Sequence, residues 1–158
     1  MEIHTRPVPT PKPARPSRHE ALESGELVSG EELGLARLRV RLGALGRGLT
    51  LRIALSEGLL AAAEEIPFTQ LRMTSVERRL ADVVSRAQSA LERAESGWGE
   101  RLLGALLYGF ALDFPVALRS RAGDPRYRFV RLHCGPDETG ALVATLGAPE
   151  ELPAGMAA

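Results

Sequence analysis

The sequence is short of the residues that carry most enzyme chemistry. Its 158 residues contain one cysteine, Cys134, so no internal disulfide can form and a disulfide-stapled scaffold is excluded. Two of the three histidines, His4 and His19, lie near the N-terminus, which leaves His133 as the imidazole of the folded part. One histidine and one cysteine do not make the ligand cluster of a zinc site, and no metal or cofactor is expected. His133 and Cys134 are neighbours, but adjacent residues of a regular strand point to opposite faces and cannot act as a dyad. Aromatic residues are 4% of the chain. Lys12 is the only lysine among 20 basic residues. The longest strongly apolar run, Leu102 to Leu112, is closed by Asp113, whereas a bilayer span needs about 20 apolar residues, so no membrane span is expected. The opening Met1-Glu2-Ile3-His4 does not read as a secretory signal, and together with the lone thiol this points to a cytoplasmic location.

What the sequence does have is charge in blocks. Twenty bases oppose 20 acids, for a formal net charge of zero, and the hydrophobic fraction of 44% is that of a globular chain. The zero is a sum of opposed segments. Residues 20–36 contain five glutamates and no base, residues 37–55 five arginines and no acid, and residues 116–133 five arginines against Asp124. Neutrality in sum therefore does not argue against a polyanionic partner.

Residues 1–19 are expected to form a disordered basic arm, with prolines at 7, 9, 11, 13 and 16 whose fixed φ and missing N–H groups disfavour regular structure. A single domain is expected over 20–147 and a flexible tail over 148–158. Within the domain, Leu38, Val40 and Leu42 alternate with Arg37, Arg39 and Arg41, and Leu49, Leu51, Ile53 and Leu55 alternate with Thr50, Arg52 and Ala54. The period of two predicts a hairpin closed by the loop Gly43–Gly48. That loop lies between strands and lacks the following helix of a phosphate cradle. Ser56 is a candidate N-cap for a helix to Ile66. Glu64 and Glu65 would end it against the dipole, which implies a partner for them. Thr74-Ser-Val-Glu77 reads as a capping box opening a helix to about Glu95, with Val76, Leu80, Val83, Val84, Ala87, Leu91 and Ala94 as its apolar stripe. Trp98 to Asp113 reads as a second, almost wholly apolar helix. Strands then follow at 115–121, 126–134 and 141–146. A bulge at Phe129-Val130 would turn Tyr127, Phe129 and Leu132 inward, and without it Phe129 and Tyr127 face out. Asp113, between apolar flanks, either pairs with an arginine or serves as an acid in a pocket.

The order ββ-ααα-βββ predicts an α+β fold: an antiparallel sheet of about five strands with the helices on one face. The other face would then be rich in arginine. Arg39, Arg41 and Arg52 belong to one hairpin, and Arg119, Arg121, Arg126, Arg128 and Arg131 to the other. Guanidinium binds phosphate bidentately, so the expectation is a non-catalytic binding domain for nucleic acid or another polyanion, such as an acidic protein. The bland counterpart is a solubilising face neutralised by the glutamates of 20–36. The alternative function is an assembly module that homodimerises or docks a partner through the 98–114 helix, which is apolar almost all round.

Overall fold

Alternation in two arginine-bearing segments makes two hairpins, and the glycines between elements decide where the chain changes direction. In the computed structural model, residues 16–42 and 47–154 are described. The expectations for 1–15, for most of the glycine loop at 43–46 and for 155–158 fall outside the described residues. In chain order the elements are α1 (Arg18–Ser24), β1 (Leu27–Ser29), β2 (Leu38–Leu42), β3 (Arg47–Ser56), α2 (Glu57–Glu64), a 3-10 turn (Phe68–Gln70), α3 (Val76–Trp98), α4 (Arg101–Tyr108), β4 (Phe110–Arg119), β5 (Pro125–Pro136) and β6 (Leu142–Gly147).

The fold is α+β, with four helices packed on a six-stranded sheet ordered β1-β3-β6-β5-β4, and β2 paired to β3. The sheet is mixed rather than antiparallel throughout, because β3 and β6 run parallel, Ile53 opposite Ala144 and Leu55 opposite Leu146. The crossover that parallel pairing requires is supplied by the whole stretch from α2 to β5. One face carries the core. Ile53, Leu55, Ala144, Leu146, Leu132 and Phe110 meet Leu80, Val83, Leu91 and Leu106 from α3 and α4. The opposite face carries the cross-strand row Ala54, Thr145, His133 and Ala111. The short α1 lies against this second face, since its Arg18 donates to Thr145 Oγ1. The helices therefore do not all share one face. Arg18 and His19, expected in the arm, open α1, and Ala148 and Leu152, expected in the tail, are buried.

Helix α3 begins one residue later than the capping-box reading, with Ser75 as N-cap accepting from the Arg78 N–H at 3.2 Å. It runs through Gly97 to Trp98. The expected stripe is buried from Leu80 to Ala94, whereas Val76 packs on the core only partly buried.

The largest departure from expectation is at 98–114. The apolar run is not one helix. It is α4, of eight residues, followed at once by β4. Gly109, at φ 88°, makes the reversal, a conformation that other residues avoid. Its Cα also lies 2.9 Å from where a Cβ on Gly135 would stand, so the two glycines allow β4 to leave the helix hard against β5. Phe110 and Phe114 then point into the core with the partly buried Leu112 between them. Trp98 closes this corner, its ring 5.1 Å from Phe110 and edge-on to it. Pro115 sits in the middle of β4 rather than at its start, where its missing N–H is tolerated because β4 is an edge strand.

The hairpin β4–β5 is irregular, but not at the predicted position. The register shifts lie between Pro115 and Leu118 and between Leu118 and Arg119, while β5 alternates regularly from Phe129 to Cys134. Val130, Leu132 and Cys134 are buried and Phe129 faces solvent, contrary to the inward placement of Phe129. No helix among the described residues is long and apolar enough to cross a membrane.

Candidate anion-binding surface

On the first hairpin, Leu38 opposes Leu51 and Val40 opposes Leu49, while Arg39 opposes Thr50 and Arg41 opposes Gly48. Leu38, Val40 and Leu51 are buried, so Arg39, Arg41 and Arg52 project from the other side and are exposed. The strand itself is held from below. Gln88 of α3 accepts from the Arg39 N–H at 2.8 Å and donates to the Arg39 carbonyl at 2.9 Å. Glu95 accepts from the Arg41 N–H at 2.9 Å. Two side chains of α3 thus cap the backbone of β2 and leave its guanidiniums outward.

The acidic segment 20–36 reaches this face at one point. Glu31 accepts from Arg37 at 2.6 Å and stands 3.5 Å from Arg52. Among the described residues, no carboxylate lies within ion-pair distance of Arg39 or Arg41. The face is neutralised at Arg52 and open at Arg39 and Arg41.

The second hairpin distributes its arginines differently. Arg126 makes a two-pronged pair with Glu65, at 3.0 and 3.3 Å. Arg131 makes another with Asp113, at 2.7 and 2.9 Å, and also donates to the Leu152 carbonyl. The hydrogen bonds to Asp113 hold the Arg131 guanidinium above its ordinary pKa against a smaller opposing effect of burial. Arg119 donates to the Gly123 carbonyl within its own turn. Arg121 and Arg128 are exposed and have no carboxylate within ion-pair distance among the described residues. Arg131 shares its strand parity with Phe129 and His133, whereas Arg128 shares it with Val130, so the five arginines do not form one surface. Asp113 is an ion-pair acceptor.

Arg79 was missing from the sequence-based set. It is 8% exposed and donates to the Ala63 carbonyl near the end of α2 at 3.0 Å and to the Arg119 carbonyl at 3.1 Å. Burial lowers its pKa, and the nearby Glu65 acts in the opposite sense. A cation at a helix C-terminus is favourable, and with Arg126 it answers the carboxylates that end α2. The signal for it was weak: an arginine among three charged residues at the start of an amphipathic helix.

His133 and Cys134 point to opposite faces of β5. Desolvation pushes the buried Cys134 thiol up to about 12. Among the described residues no group of three or more His, Cys, Asp or Glu is placed to hold a metal.

A cleft of about 620 Å³, also not foreseen, lies on the face that carries α1. Its walls are α1, the turn at 136–138 and residues 151–153, over Thr145 and His133. Most of its polar groups are already used by the fold. Arg18 is bound to Thr145 Oγ1 and to the carbonyls of Ala144 and Arg52, Glu138 accepts from the His19 N–H, and Glu151 accepts from the Tyr127 hydroxyl. Asp137 accepts three hydrogen bonds inside its own turn, and those from Thr139 lead in holding its carboxyl below the usual range. The cleft is a seam that fastens α1 and the C-terminal segment to the sheet. No family model matches the chain, and no curated protein or solved structure matches it either.

Proposed function

We propose that this protein is a binding module for nucleic acid, which it grips by its phosphates through Arg39 and Arg41, with Arg52, shared with Glu31, at the edge of the same face. The observation that supports the reading is the pair Arg39 and Arg41. They stand on a hairpin whose backbone is clamped by Gln88 and Glu95, and among the described residues no carboxylate lies within ion-pair distance of their guanidiniums. Successive same-face residues of a strand are about 6.8 Å apart, so the two guanidiniums form a short cationic row that needs little ordering on binding. Phosphate contacts of this kind release counterions, and affinity falls as salt rises.

Labelled single-stranded and duplex oligonucleotides are titrated at low and moderate salt, with the parent chain and with R39A/R41A/R52A. The expected result is salt-sensitive binding by the parent and a log–log salt slope shallower by about two to three in the variant. Absence of binding at low salt, or an unchanged slope in the variant, overturns the reading.

A second reading, self-association, has its own observation. Helix α4 buries Leu102, Ala105 and Leu106 but leaves Leu103, Leu107 and Tyr108 exposed. Light scattering over a range of concentrations tests it, and a monomer throughout excludes it.

A further inference from the structure

We infer that the turn from Phe68 to Met73 is a contact element for an anionic lipid surface, independent of the Arg39–Arg41 face. Three large apolar side chains stand in solvent within six residues: Phe68 at 68%, Leu71 at 56% and Met73 at 71% exposure. Single exposed apolar residues are ordinary, but three on one turn are not. Phe68 opens the 3-10 turn and Leu71 follows it three residues on, a spacing at which side chains of a 3-10 turn eclipse.

The turn is fastened beside cations. The Phe68 N–H donates to the Arg121 carbonyl at 3.2 Å, which docks the turn on the tip of the second hairpin. Arg78 Nη1 donates to the Met73 carbonyl at 3.4 Å. Residues 66–79 and 119–128 together hold seven arginines against Glu77 and Asp124. Of the seven, Arg79 is buried and Arg126 is paired with Glu65. Arg72, Arg78 and Arg121 have no carboxylate within ion-pair distance among the described residues. Glu65 lies beside Arg121 and Arg126 at the hairpin tip.

Exposed apolar side chains on a turn fastened to Arg78 and to the Arg121 backbone match a surface that is apolar a few ångströms down and negative at its rim. The three side chains reach interfacial depth, and the arginines meet the headgroup phosphates from above. Nucleic acid fits this patch less well, because Leu71 and Met73 offer no ring for a base to stack on. A partner helix would need a groove, and these side chains stand up from a turn.

The test is cosedimentation with vesicles of phosphatidylcholine alone and of phosphatidylcholine mixed with phosphatidylglycerol. The full chain is compared with F68S/L71S/M73S, with R72A/R121A and with R39A/R41A/R52A. All these side chains are exposed, and circular dichroism checks that each variant folds as the parent does. The parent is expected to bind the mixed vesicles and to bind neutral ones weakly. F68S/L71S/M73S should lose about tenfold or more of that binding. R72A/R121A should lose about fivefold per charge. R39A/R41A/R52A should lose less than R72A/R121A, which separates this surface from the proposed nucleic-acid face. Undiminished binding by F68S/L71S/M73S, or equal binding to both vesicle types, overturns the inference. So does a parent that ignores vesicles but dimerises through these three residues.

Discussion

The two arginine-bearing hairpins look alike along the chain and differ in their surroundings. In β2–β3 the alternation is regular, the apolar set is buried, and helix α3 attends to the backbone through Gln88 and Glu95. The guanidiniums of Arg39 and Arg41 are left to solvent. In β4–β5 the register is broken twice, and neighbouring carboxylates and carbonyls take up Arg119, Arg126 and Arg131. An arginine pattern therefore sets where cations emerge from the backbone. What they do depends on which acids the rest of the fold brings within reach.

The sharpest way to test this contrast is to loosen the anchored hairpin. Arg79→Ala leaves the Ala63 and Arg119 carbonyls without their charged donor, and unfolding by urea is expected to show a loss of about 3 kcal/mol. The second largest effect is expected at the root of the same hairpin. A thiol whose pKa rises on folding stabilises the fold below its unfolded value of about 8.5, and that stability is lost as pH rises through this value toward the folded one. With Cys134 pushed up to about 12, the loss should approach about 2 kcal/mol by pH 10. Cys134→Ala should remove that slope from urea titrations run at several pH values.

For the first hairpin, Gln88→Ala removes both hydrogen bonds to Arg39 and should cost about 1 kcal/mol, read as a lower urea midpoint at unchanged m-value. A loss matching that of Arg79→Ala would erase the distinction between a clamped edge and a buried anchor. The smallest effect is expected for Arg126→Ala. Its partnership with Glu65 is exposed, and thermal melts should show no more than about 0.5 kcal/mol, shrinking further in high salt.

Local features were the most legible. The alternation at 38–42 and 49–55, the Ser56 cap and the stripe of α3 each rest on neighbours within a few residues, and each reappears in the structure. The reading of 98–114 as one helix failed because apolar content masked a change of period. Phe110, Leu112 and Phe114 alternate with Ala111, Asp113 and Pro115, and Gly109 stands just before them. The predicted bulge at Phe129-Val130 failed for a related reason. The irregularity belongs to the pairing of two strands, so the composition of one strand does not locate it.

The candidate site divided in the same way. That Arg39 and Arg41 share a face follows from strand periodicity alone. That among the described residues they have no carboxylate within ion-pair distance, while Arg52, Arg126 and Arg131 do, depends on contacts between residues up to 61 positions apart, as between Glu65 and Arg126. Arg79 belongs to the same class, because an arginine on a helix becomes a buried anchor only when a strand end is packed over it.

The sequence by itself determined the α+β class, the first hairpin, the long amphipathic helix and the blocks of charge. These follow from side-chain periodicity and capping, which act over one or two turns of chain. Tertiary structure alone decided the parallel pairing of β3 with β6, the outer position of α1 and the fate of each arginine. Those outcomes depend on which distant backbone or carboxylate arrives within about 3 Å, the range over which a hydrogen-bonded ion pair forms.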